Sequence, residues 1–294
     1  MSFLDNIVNR KVTPNEAAVT GAVAILTLSG DFTELERRLI SIFRDEFPAL
    51  TDVEDESFKQ LVEKGIDLVH HQGVAADVNK FVQEYMLPSL GSTDERIAAY
   101  RYVYALAMAN LNLDEGETTL LDAMKAQFGL DTDTLAKAEA DVTTEFEPLH
   151  RALAAVVLGF IVVTADGVVQ DSELEDLQAA RSILEPIARL DDTQFQLVYD
   201  LALSIYNRFL IDPDNRLAFL YNIVAPKLNT RDLRVQGFHY AASVAVADGD
   251  LAKSEADLLK EILKALQISD EAGQAIFNQY MTRVKTIDGK PIQQ

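Results

Sequence analysis

Four carboxylates sit where they could hold a hard cation. Asp166 and Glu173 belong to VVTADGVVQDSE, and Asp248 and Glu255 to VAVADGDLAKSE. Each stretch has an Asp-Gly pair, a hydrophobic residue two positions after the Gly, and a Glu seven after the Asp. Carboxylate oxygens of this kind suit Ca²⁺, Mg²⁺ or Mn²⁺. The spacing matches the back half of an EF-hand loop, but the front half is missing. Loop positions 1 and 3 would be Val162 and Thr164 in one copy and Val244 and Val246 in the other. Valine offers no ligand atom, so a solitary EF-hand site is excluded. Two readings stay open: a plain helix–turn–helix junction, or a shared site in which the two loops pool Asp166, Glu173, Asp248 and Glu255.

The helix-turn reading accounts for part of the pattern. Gly after a helix tolerates positive φ and lets the last carbonyls be satisfied. Two related stretches, LSGDFTELE and ANLNLDEGE, then supply Thr33 with Glu36 and Asp114 with Glu117. Each pair predicts a capping box, with the Glu reaching back to the cap amide for about 1 kcal/mol. In the other two copies Ser172 and Ser254 are the expected caps. Capping does not ask for Asp at 166 or 248, where a carboxylate faces the negative end of a helix dipole. A local hydrogen-bonding role or a shared cation is expected there.

The elements that must position these loops are helical. ELERRLISIFRDEF places Leu35, Leu39, Ile42, Phe43 and Phe47 at three- and four-residue steps, and SEADLLKEILKAL does the same from Leu258 to Leu266. No alternating runs sit between hairpin signals, and Pro and Gly fall mostly between helical stretches. The expected class is all-α. Sliding the chain along itself gives one offset, 137 to 138 residues, which pairs Pro88 with Pro226, Leu90 with Leu228, Arg96 with Arg234 and Tyr102 with Tyr240. This reads as an internal duplication. The expectation is two tandem helical-bundle domains, 1–147 and 148–294, the second retaining both Ala-Asp-Gly loops.

The two acidic stretches resemble the paired Ala-Asp-Gly…Glu signatures of the TerB-like (tellurite-resistance protein B) family. The resemblance covers about residues 150–285, and the repeat extends it to about 14–145 as a degenerate copy. It implies an all-helical fold, no established enzymatic activity, and a role in stress- or metal-related complexes, often close to membranes. The family's acidic positions map to Asp166, Glu173, Asp248 and Glu255, whereas Ser29 and Asn110 depart from the pattern in the first half.

Composition narrows the partners. The formal charge is −21, with −15 carried by residues 1–147. That disfavours a nucleic-acid ligand and unaided docking to an anionic lipid surface, and points to a basic protein partner; a membrane-associated partner is what the family resemblance implies. The 12-residue run Ala152–Val163 is too short to span a bilayer and suits a buried helix. The chain lacks cysteine, a secretory signal pattern, a phosphate-binding glycine loop and a nucleophile elbow, so a cytoplasmic non-enzyme is expected. His70 and His71 point to neighbouring helix faces, and His239 reads as a packed helix residue. The aromatic row Tyr100, Tyr102, Tyr104, Phe238 and Tyr240 spans more than one helix face, which suggests that part of it forms a docking surface. The leading expectation is an adaptor or scaffold; a divalent-metal buffer or sensor working through the second half is the alternative.

Overall fold

The computed structural model describes residues 12–28, 30, 32–72, 74–165, 177–287 and 290–291. The architecture is all-α, as the patterning predicts, and the chain divides into two compact units, Met1–Phe146 and Glu147–Gln294.

In the first unit the main helices are α1 (Pro14–Thr27), α2 (Glu34–Ile42), α3 (Asp55–Gln72), α4 (Thr93–Ala107), α5 (Glu115–Gln127) and α6 (Thr132–Glu145). Helix α1 starts cleanly because Thr13 and Glu16 form a capping box and Pro14 holds the first-turn φ. Its buried residues run without a break from Ala17 to Leu26, so it is a core helix covered on every side. It packs against α3 and α4. Helix α2 stops at Ile42, and Phe43–Glu46 continues as a tighter 3₁₀ turn, so the stretch expected to be one helix to Phe47 is in fact two pieces.

One ionic hub ties three elements of this unit together. Arg101 on α4 reaches Glu46 at 2.8 Å, Glu145 at 3.3 Å and Asp141 at 3.6 Å. Burial pushes the Glu46 carboxyl above its ordinary pKa; the Arg101 charge opposes that and Glu145 adds to it.

In the second unit the main helices are α7 (Glu147–Val163), α8 (Asp192–Ile205), α9 (Pro213–Phe219), α10 (Arg231–Ala245), α11 (Lys253–Ala265) and α12 (Asp270–Tyr280). Helix α7 contains the apolar run and is buried from Ala152 to Val163, packing against α8 and α10. Gly159 allows that approach: a Cβ there would lie 2.6 Å from the Tyr240 hydroxyl and 2.9 Å from Leu177 Cδ1. Three two-residue strands, β1 (Asp250–Leu251), β2 (Thr286–Ile287) and β3 (Lys290–Pro291), form a small sheet in that order, with β1 parallel to β2.

The units share local devices at the repeat offset. A wide π turn at Val82–Met86 precedes Pro88, and another at Leu220–Val224 precedes Pro226. Proline inside a helix has no N–H to give and crowds the preceding turn, and a local widening accommodates it. Just beyond, Arg96 donates to the carbonyls of Leu90 (3.1 Å) and Phe128 (3.0 Å). Arg234 likewise donates to the Leu228 carbonyl (3.2 Å) and to Gln267 Oε1 (2.7 Å).

Four of the five residues of the aromatic row are core and only Tyr104 is half-buried, so the row forms no extended docking surface. Tyr100, Tyr102 and Tyr240 are fully buried, Phe238 is nearly so, and Tyr104 stacks on Tyr100. Aromatics on several faces of α4 and α10 mark helices that are covered on most sides. His239 bonds Tyr280 at 3.0 Å, and burial lowers its pKa, in keeping with a packed residue.

Candidate functional site

The second acidic loop begins where α10 ends at Ala245. Val246 and Val244, which occupy the would-be ligand positions, are buried apolar side chains. Asp248 is exposed, and its Oδ1 accepts the Asp250 amide at 2.8 Å, closing a side-chain turn. Gly249 takes φ +86°, and its carbonyl accepts the amides of Lys285 (2.7 Å) and Thr286 (3.2 Å). The Thr286 hydroxyl donates to Asp250 Oδ1 at 2.6 Å. The loop is therefore stitched to β2 through Gly249 and Asp250.

Glu255 acts as the box residue at a cap position held by alanine. Its Oε2 accepts the Ala252 amide at 2.8 Å, and Ala252 has no side-chain oxygen to return the bond. Ser254, expected as the cap, lies inside α11, which starts at Lys253. The box Glu satisfies the cap amide, and the helix begins one residue before Ser254.

Asp166 and Glu173 lie outside the described residues, as does the expected cap Ser172. The approach to them is described. Thr164 is fully buried, and its hydroxyl donates to the Phe160 carbonyl at 2.7 Å. Arg216, a residue that sequence reasoning passed over, donates to the Thr164 carbonyl and, at 3.3 Å, to its hydroxyl.

The first unit has the same turn without the charge. Asn110 Oδ1 accepts the Asn112 amide at 3.0 Å, and Leu111 takes φ 66° where the other copy has Gly249. Both predicted boxes are present, Thr33 with Glu36 and Asp114 with Glu117, and Glu117 is 1% exposed. The two loop copies are neighbours there: a Cβ on Gly116 would lie 3.2 Å from Leu28 Cβ. An amide side chain thus makes this turn as well as a carboxylate does. The charge at Asp248 is more than the turn requires.

Among the described residues no three His, Asp or Glu side chains converge on one point. The donor set is all oxygen, which fits Ca²⁺, Mg²⁺ or Mn²⁺ in kind. Asp248 and Glu255 each use one carboxylate oxygen for a backbone amide. Gly249 has a separate test. Its φ is one that side chains rarely adopt, while the nearest atom to an added Cβ is 3.5 Å away, an ordinary contact. Gly249→Ala is expected to cost about 1 kcal/mol from backbone conformation alone, read from urea unfolding.

A bundle of buried core helices joined by capped, acidic helix–turn–helix junctions defines the class. Within it, residues 152–277 match the family of tellurite resistance protein TerB, so the second unit contains a TerB domain. No curated protein and no solved structure gives a significant match to the chain. No single helix among the described residues is long and apolar enough to cross a membrane.

Proposed function

We propose that the chain is a duplicated TerB-type protein acting as a non-enzymatic adaptor in a stress-related or membrane-proximal complex of the cytoplasm. The duplication draws support from the paired π turns, the paired arginine clamps and the matching side-chain turns at Asn110 and Asp248. The observation that carries the adaptor reading is a groove of about 880 Å³ between α2 and α3. Arg37, Arg38, Arg44 and Lys59 line it together with the carboxylates Glu34, Asp45, Asp55 and Glu63. Arg37 lies over Phe32 and Arg44 over Phe58, at 5.4 and 5.6 Å to the ring centroids. Arginines stacked on aromatic rings are side chains that protein interfaces favour. Pull-downs with the intact chain and with Arg37→Glu/Arg44→Glu should differ by at least one specific partner. Identical recoveries would sink this reading.

A divalent-metal buffer or sensor is the second reading, favoured by the charge at Asp248 that its turn does not need. In the first unit the two loops lie side by side at Leu28 and Gly116. A second unit built alike would bring the loop beginning at Asp166 beside that beginning at Asp248, pooling Asp166, Glu173, Asp248 and Glu255. Calorimetry with Ca²⁺, Mg²⁺ and Mn²⁺ should then give heat that Asp166→Asn/Asp248→Asn abolishes. No heat with any ion removes the sensor reading and leaves the adaptor reading intact.

A further inference from the structure

Helices α11 and α12 align with α5 and α6 at a constant offset of 138 residues, Lys253 on Glu115 and Asp270 on Thr132. In the first unit a polar strap joins α4, α5 and α6. The Tyr100 hydroxyl donates to Glu139 Oε1 at 2.5 Å, and Lys125 Nζ lies 2.9 Å from the same oxygen. The matching residues in the second unit are Phe238, Phe277 and Leu263, which carry no polar atom to make such a strap. Leu135 is matched by Gly273, where an added Cβ would collide with the side chain of Leu263. The seam between α11 and α12 is an apolar groove of about 410 Å³, lined by Phe238, Leu259, Leu263, Gly273 and Phe277. Phe238 is buried, while Leu263 and Phe277 are half-buried and leave apolar surface in contact with water.

The charge along this groove runs against that of the chain, which has 47 acids to 26 bases. Lys260 and Lys264 belong to its lining, with Asp270 as the carboxylate. The two lysines are four residues apart and so share one face of α11. Both are exposed, and each pairs with an acid outside the lining, Asp257 at 2.7 Å and Glu261 at 2.6 Å. Glu261 is also held by the Tyr221 hydroxyl at 3.0 Å. Exposed pairs within one helix are weak, so an incoming anion can draw on both ammonium groups.

We propose that this groove binds a single-chain carboxylate amphiphile, its tail on Phe238, Leu263 and Phe277 and its head at Lys260 and Lys264. A pocket of this volume, apolar with a few charged groups, is the form that small-molecule sites take. An apolar groove edged by two cations suits an apolar chain ending in an anion.

Titration calorimetry of the full chain uses dodecanoate, kept below its micelle concentration, beside dodecyltrimethylammonium, which has the same tail and the opposite charge. Dodecanoate should bind at one site per chain, and the cation about tenfold or more weakly. Lys260→Gln/Lys264→Gln should weaken dodecanoate by about tenfold or more without weakening the cation. Leu263→Lys/Phe277→Glu rebuilds part of the first unit's strap and should abolish binding while helical circular dichroism is kept. No binding of dodecanoate, equal binding of the two amphiphiles, or binding that survives either pair of substitutions overturns the proposal. So does a dimer in sedimentation that Leu263→Lys/Phe277→Glu dissociates, which would assign the groove to a second copy of the chain. If that variant does not fold, the lysine variant, changed only at exposed positions, still decides.

Discussion

Gly159→Ala lowers stability by about 2 kcal/mol in urea unfolding, and adding Tyr240→Phe restores most of it. The new Cβ meets the Tyr240 hydroxyl at 2.6 Å and Leu177 at 2.9 Å, both on buried side chains with no open side to move toward. Overpacking of this kind costs about 3 kcal/mol, and the better helix propensity of Ala returns about 1. Tyr240→Phe alone should stabilise by about 1 kcal/mol, because its hydroxyl is fully buried with no partner among the described residues. The matching residue behaves in the opposite way. Tyr102 donates to the Ile40 carbonyl at 2.7 Å, so Tyr102→Phe should destabilise by a similar amount, about 1 kcal/mol. A double-mutant cycle on Gly159 and Tyr240 that comes out additive would show that the hydroxyl is not what the added methyl meets.

Arg96→Met costs about 3 kcal/mol, with Arg234→Met nearer 2, by the same measurement. Arg96 serves two backbone carbonyls, Leu90 and Phe128, which belong to fully buried residues and lose a charged donor together. Arg234 serves one carbonyl and the side chain of Gln267, which is exposed and can turn to water. Equal losses at the two positions would contradict this account, since the geometry makes the first clamp the deeper one.

The sequence carried the helical class and the two boxes at Thr33 and Asp114, because capping depends on residues three apart. It also matched Arg96 with Arg234, though not their acceptors, since Phe128 and Gln267 lie about thirty residues away in the chain. In the aromatic row only Tyr104 keeps any exposure, because spread over several faces marks helices covered on most sides. Ser254 was misread as a cap because Glu255 satisfies the Ala252 amide. Arg216 left no local signal: its partner Thr164 is fifty-two residues earlier, and a lone arginine in a polar stretch looks like any surface cation. Strands of two residues are too short to show alternation, so the sheet at Asp250 was illegible.

That small sheet also bears on where the domain ends. The family match closes at residue 277, yet the carbonyl of Gly249 and the carboxylate of Asp250 are bound by Lys285 and Thr286. An excised piece cut at the family boundary would leave the second acidic turn without its outer support. The working boundary of this module extends at least to Ile287, and a shortened version would not be a fair sample of its loop.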